Sequence, residues 1–377
     1  MLPLQGLATS SRLLRTALAS GSRAASSPPA VRDLHSTARR CLAAVQPTSK
    51  GGTMPGSEDR FVKIVEVSPR DGLQNEKNVV SVETKVELIR RLQEAGAACI
   101  EAGSFVSPKW VPQMADTAAV LSSMPIKPGV SYPVLVPNAR GLEDLLALLS
   151  KADSTQPPLT DEIAIFTAAT ESFTKRNTNV SIAESIDRLA RVTEQALARG
   201  LKVRGYISVV AGCPYEGAVD PQVVGSISKQ LFDMGCYEVS LGDTVGVGHP
   251  ASMLAVLEAC AKYNPPALHA AHCHDTFGTG LANVLAMVKA GVKTVDAAVG
   301  GLGGCPYSPG ATGNIDTESV IYALHQEGYE TGYDLIKTAE AGEWIAKAVG
   351  KENNSRAGKA LLAKARQALA QNQQAKL

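Results

Sequence analysis

His272 and His274 stand two residues apart in HAAHCHDT, and GLGGCPYSPGATGN sets Cys305 in a glycine-rich stretch that ends at Asn314. Glycines allow left-handed and crowded backbone that other residues avoid, so such a loop can bring a soft acid/base and an oxygen ligand to one point. On a strand, alternation points both imidazoles to one side and Cys273 to the other. Two imidazoles and a carboxylate make a metal site. Asp71 and Asp243 are the candidate carboxylates, and Asn314 can add an amide oxygen. Two nitrogens with several oxygens, completed by water or substrate, suit an octahedral divalent ion such as Mg²⁺ or Mn²⁺. Zinc fits less well, because the chain has neither a thiolate cluster nor H-E-x-x-H.

Arg70 precedes Asp71. A guanidinium at a strand end offers a permanently charged fork that can hold a carbonyl oxygen as it gains negative charge. Glu101 falls inside a strand pattern, where a carboxylate must be paired, so it is expected to hold Arg70 or one of the histidines. Cys213 reads as buried packing and His269 as a strand-edge polar group.

These residues need a frame that brings them to one place. Short apolar runs alternate with amphipathic segments from residue 62 to about 328, the pattern of repeated strand-helix units and a parallel sheet. Strands are expected at Val62–Val67, Cys99–Ala102, Val130–Val136, Glu162–Phe166, Val203–Val209, Tyr237–Leu241, His269–Cys273 and Thr294–Val299. Helices are expected at Glu83–Ala95, Ser181–Arg199, Pro221–Met234, Pro250–Lys262 and Gly280–Ala290, with Gly96, Gly200, Gly235 and Gly291 at stops. Eight units in roughly 250 residues predict an α/β fold, a (β/α)₈ TIM barrel with a short helical C-terminal extension. No G-x-G-x-x-G follows the first strand, which disfavours an open dinucleotide-binding sheet. In such a barrel, reacting groups come from the C-terminal ends of strands, where Arg70, Asp71, Glu101, Asp243, His272, His274 and the Cys305 loop all fall. The insert Ser150–Thr160 lengthens a connection on the opposite face.

The chain has 377 residues, with 37 Lys and Arg against 36 Asp and Glu, which excludes the basic excess of a nucleic-acid binder. Seven scattered cysteines without C-x-x-C point to a reducing compartment, with neither disulfides nor structural zinc. No run of eighteen apolar residues is present, so no membrane span is expected. Residues 1–47 are rich in Arg, Ser and Ala with Asp33 as the one acid, the composition of a mitochondrial transit peptide. A linker at 48–60, a catalytic barrel at 61–330 and a helical extension at 331–377 complete the expected organisation. The last three residues, Ala375-Lys376-Leu377, approximate the serine-lysine-leucine peroxisomal address.

Six blocks, VEVSPRDGLQNEKN, SFVSPKWVPQMAD, GCPYEG, EVSLGDTVGVG, HCHDT and GLGGCPYSPGATGN, resemble in order the motifs of the 3-hydroxy-3-methylglutaryl-CoA lyase family, within the DRE-TIM metallolyases. The resemblance runs from about Val62 to Gly350. It implies that Asp71, His272, His274 and Asn314 bind the metal, which moves the carboxylate ligand from Asp243 to Asp71. It further implies that Arg70 stabilises an enolate oxygen, that Cys305 is an acid/base, and that Asp243 and Glu101 complete the site. The implied reaction is retro-Claisen cleavage of 3-hydroxy-3-methylglutaryl-CoA to acetyl-CoA and acetoacetate, by a homodimer in the mitochondrial matrix. Lys77 and Lys109 are candidate coenzyme A contacts. Ser68 stands where many members have glycine, and Gly350-Lys351-Glu352 is less basic than its usual counterpart. The alternatives are a lyase for another 3-hydroxyacyl-CoA and an aldol-type acyltransferase such as 2-isopropylmalate synthase; the latter usually carries a sizeable further domain and lacks the GLGGCPY loop. A catalytically silent paralogue would show damage to the constellation, and every matched position is intact.

Overall fold

The computed structural model describes residues 60–153, 155, 157–304 and 313–374. Eight parallel strands form one sheet: β1 (Lys63–Glu66), β2 (Gly103–Ser104), β3 (Val134–Leu135), β4 (Glu162–Ala168), β5 (Lys202–Ser208), β6 (Glu238–Asp243), β7 (His269–Cys273) and β8 (Thr294–Ala297). Consecutive strands pair from β2 to β8, and β8 pairs with β1. The ring closes where Glu66 N donates to Cys99 O at 3.0 Å and Glu101 N to Glu66 O at 2.9 Å. The expected barrel is therefore present, and β7 has the expected bounds. β2 and β3 are shorter than their apolar runs, with single bridges at Ile100 and Ser131 extending the pairing.

Helices lie between strands where sequence signals place them. Ser181 and Glu184 form a reciprocal capping box at the start of Ile182–Ala198, satisfying two N–H groups that a helix start leaves open. Helix Val82–Ala95 ends at Gly96, whose φ is 98°; a Cβ there would lie 2.4 Å from Gly332 O, so only glycine fits.

Alternation divides the barrel into two interiors. Val203, Ile207, Val239, Leu241, Ala271, Cys273, Val295 and Ala297 join the apolar layer between sheet and helices. Arg204, Glu238, Ser240, His272, Thr294 and Asp296, at the alternate positions, are also buried and bond to one another inside the barrel. Barrel lumens are commonly filled by branched aliphatic side chains; this one carries these polar groups beside a small apolar cluster of Leu135, Ala164, Phe166 and Tyr206.

The helical extension is part of the same body. Arg60 Nη2 donates to Glu327 O at 2.8 Å, and Glu330 N to Arg60 O at 3.0 Å, tying the two ends of the barrel segment together. Helix Leu335–Ala348 packs on Val82–Ala95 and on the turn Val299–Gly301, and Arg356–Gln374 packs on Leu335–Ala348. Among the described residues, no helix is long and apolar enough to cross a membrane. Cys99, Cys213, Cys236, Cys260 and Cys273 are buried free thiols.

Candidate active site

β1 ends one turn before its polar residues. Ser68–Gly72 form a single π-helical turn, with Gly72 N donating to Val67 O at 3.1 Å. Such turns are rare and concentrate at functional positions, because the widened loop re-aims side chains. Here it carries Arg70 and Asp71 over the C-terminal mouth of the barrel. A Cβ on Gly72 would lie 3.0 Å from Leu302 Cβ, so the turn sits directly against the chain that leads to Cys305.

Asp71, His272 and His274 offer ligand atoms that all lie within 4.8 Å of one another. Asp71 Oδ2 is 4.0 Å from both His272 Nε2 and His274 Nε2, too far for hydrogen bonds and suited to a shared cation. Burial opposes charge on Asp71, but Arg70, the two histidines and a bond from Asn314 draw its pKa down to about 2. Burial, then neighbouring His272, lowers His274 to about 4, so its ring is neutral and able to ligate at pH 7. Three buried polar atoms here have no partner among the described residues: His274 Nδ1, Asn314 Oδ1 and Glu101 Oε1. Unpaired buried polar atoms are costly. The N,O donor set of Asp71, His272 and His274, with its ligand atoms mutually close, fits a site for a divalent ion.

Asn314 reaches this trio through an antiparallel bridge to His274 at the end of β7. Its Nδ2 donates to Asp71 Oδ2 at 2.9 Å and to Leu302 O at 3.2 Å. The expected amide-oxygen ligand thus faces away, and a half-turn of the amide would present it. Arg70 is held on both sides: Nε and Nη2 meet Glu101 Oε2 at 2.8 and 2.7 Å, and Nη1 pairs with Asp71 Oδ1. Its guanidinium also lies 5.5 Å from the Tyr206 ring centroid. Of the two roles open to Glu101, the structure shows the one toward Arg70.

Asp243 closes β6, but its carboxylate accepts from Gly246, Val247 and Gly248 N at 3.1, 3.2 and 2.8 Å. It shapes the loop beside the site and is absent from the trio, so of the two candidate carboxylates the structure brings Asp71 to the histidines. Lys77 and Lys109 are exposed on loops at the same end of the barrel. Cys305 lies outside the described residues. Its stretch is anchored at a narrow neck: a Cβ on Gly313 would stand 2.6 Å from Gly303 C, and Asn75 Nδ2 donates to Gly304 O at 2.7 Å. His269 bonds Ser228 and Pro265 deep in the fold, and Cys213 contacts Thr170.

Three residues escape the sequence reading. Arg204 and Asp296 pair under His272, and the signal available was a charge at an inward position of an otherwise apolar strand. Val209, just after β5, has a φ of 56°, a strained conformation for a β-branched residue that nothing in the sequence marks.

The family model described as HMGL-like matches residues 61–345. The chain belongs to the HMGL-like family. Relatives of this HMGL-like chain include the cytoplasmic 3-hydroxy-3-methylglutaryl-CoA lyase of Rattus norvegicus, 51% identical over 84% of this chain and 89% of that protein. The mitochondrial hydroxymethylglutaryl-CoA lyase of Macaca fascicularis is 50% identical over 83% of this chain and 92% of its own. Among solved structures, hydroxymethylglutaryl-CoA lyase from Pseudomonas aeruginosa superposes with a TM-score of 0.76 at 48% identity, covering 81% of this chain and 98% of that one. An HMG-CoA lyase from Acinetobacter baumannii, solved with coenzyme A and 3-methylmalate, gives 0.75 at 31% identity over 81% of this chain and 97% of its own.

Proposed function

We propose that the protein cleaves 3-hydroxy-3-methylglutaryl-CoA to acetyl-CoA and acetoacetate, with Mg²⁺ or Mn²⁺ held by Asp71, His272, His274 and a turned Asn314. The observation that carries this reading is the juxtaposition of the Asp71–His272–His274 trio with Arg70, at the mouth of a barrel shared with lyases about half identical in sequence.

The C2–C3 bond breaks when the C3 hydroxyl loses its proton and the oxygen's electrons form the ketone of acetoacetate. A divalent ion, if held by Asp71, His272 and His274, would supply the Lewis acidity that makes a neighbouring hydroxyl easier to deprotonate. Asp71 or His272, both beside that position, is suited to receive the proton. The bonding electrons leave as the enolate of acetyl-CoA, and Arg70 places permanent positive charge where the enolate oxygen develops. Protonation at C2 then completes acetyl-CoA, and Cys305, next to Gly304, is the assigned acid. Glu101 and Asp71 fix the plane of the Arg70 fork, and Asp243 fixes the loop from Gly246 to Gly248 by accepting its backbone N–H groups. Lys77 and Lys109 are assigned to the coenzyme A phosphates. The acyl-CoA substrate is supported by the relative solved with coenzyme A.

The reading places a homodimer in the mitochondrial matrix, supported by the composition of residues 1–47 and by similarity to mitochondrial lyases. Its domain bounds are the barrel at 61–330 and the extension at 331–377. Protein lacking about 47 residues, a cut set by the transit-like composition, should release acetoacetate with added Mg²⁺ and lose that activity in chelator. Folded, Mg²⁺-loaded protein that releases none, yet turns over another 3-hydroxyacyl-CoA, would transfer the assignment to that substrate.

A further inference from the structure

Below the ligand trio, the barrel lumen holds a column of charge that the lyase reading leaves without a role. Asp296 on β8 is 1% exposed. Its Oδ2 meets His272 Nδ1 at 3.2 Å and Ser240 Oγ at 2.7 Å, while Arg204 Nη2 meets Oδ1 at 2.7 Å. Arg204 is equally buried and gives Nε to Glu238 Oε1 at 2.7 Å. Glu238 Oε2 in turn takes Lys63 Nζ at 3.1 Å and Thr294 Oγ1 at 2.7 Å. The column thus runs through β1, β5, β6 and β8 and ends on one ring nitrogen of His272.

We infer that Asp296, locked by Arg204 and Ser240, is a positioning residue that keeps the His272 proton on Nδ1 and so presents a bare Nε2 to the metal. An ionised carboxylate only accepts hydrogen bonds, so the nitrogen facing it must donate. A neutral imidazole has one N–H, and Nδ1 uses it; the lone pair is left on Nε2, the atom 4.0 Å from Asp71 Oδ2. Partners of this kind fix the ring's orientation and raise its basicity as a ligand. His274 supplies the contrast, because among the described residues its Nδ1 is buried without a partner and nothing comparable selects its tautomer. The two ligand histidines are therefore unequal: one is locked from below and the other is set only by what it binds.

The inference rests on the metal-centre reading, and one set of samples separates the two. Long-range ¹H–¹⁵N correlation on histidine-labelled full-length protein at pH 8, metal-free and with Mg²⁺, distinguishes protonated from bare ring nitrogens; a His272→Gln sample assigns the signal. Wild type should show Nδ1 protonated and Nε2 bare at His272. Asp296→Asn should move that signal toward the other tautomer, leave His274 unchanged, and weaken Mn²⁺ binding by about 10- to 100-fold in calorimetry. Asp296→Asn removes a charge beside Arg204 and could prevent folding, in which case the wild-type spectrum decides alone. A proton on Nε2 in the metal-free wild type, or a folded Asp296→Asn protein with wild-type tautomer and Mn²⁺ affinity, overturns the inference. Wild type that carries the Nδ1 proton yet binds no Mn²⁺ overturns the metal centre and still supports the tautomer lock.

Discussion

Arg70 places two nitrogens on a single oxygen of Glu101, Nε at 2.8 Å and Nη2 at 2.7 Å, and pairs its third with Asp71. A lysine could retain the charge, but not this three-point hold on a fixed plane. Arg70→Lys should lower kcat by about 10²-fold or more, the scale for losing a donor aimed at developing negative charge. Mn²⁺ affinity should change little, since no ligand is removed. Steady-state kinetics with a parallel metal titration checks this; near-normal kcat would show that charge alone suffices.

Cys305→Ala removes an acid and no metal ligand. Turnover should fall by about 10²- to 10⁴-fold, the range of general acid–base contributions, with melting temperature and Mn²⁺ affinity preserved. Unchanged turnover would take Cys305 out of the chemistry.

Acid should destabilise the metal-free protein through His274. Its folded pKa is lowered from 6.5 to about 4 by burial and by His272, so between those values the unfolded chain binds a proton that the folded chain does not. The stability contribution is full above pH 6.5 and is lost as pH falls toward 4. In calorimetry with chelator, His274→Gln should flatten this part of the curve. His269 and His325 are shifted in the same direction, so the difference between variant and wild type carries the test, and parallel curves would refute it.

Ending the chain after Glu330 should abolish cooperative folding. The removed segment includes Ile336, Ile345 and Leu362, all buried, and Trp344, whose ring lies 4.6 Å from the Arg91 guanidinium. Exposing that much apolar surface costs more than the usual stability of a domain can absorb. A sharp thermal transition in circular dichroism, at nearly the wild-type temperature, would show instead that the barrel stands without its extension.

The barrel was legible because its strands keep period two and its helices end at glycine: β7 begins and ends as read, and Gly96, Gly200, Gly235 and Gly291 all adopt positive φ. β2 and β3 shrink because pairing depends on a neighbour's register as well as on apolar content. Parity also placed His272 and His274 together. What stayed hidden were relationships between strands distant in sequence. Asp243 and Asp71 are equally good carboxylates on paper, and only the fold shows the former held by three N–H groups. Arg204 and Asp296 lie 92 residues apart, and neither has meaning until the ring closes around both. The π-helical turn at Ser68–Gly72 has no periodic signature in five residues.

The close crossing at Gly303 and Gly313 divides the site into a fixed part and an exchangeable one. The chain leaves and returns at nearly the same point, and Asn314 is anchored to His274 just beyond it. Whatever occupies the nine intervening positions, the neck and the bridge hold the ligand end in register. Loops of other length or composition that keep Cys305 could be grafted there, using the barrel as an unchanged socket.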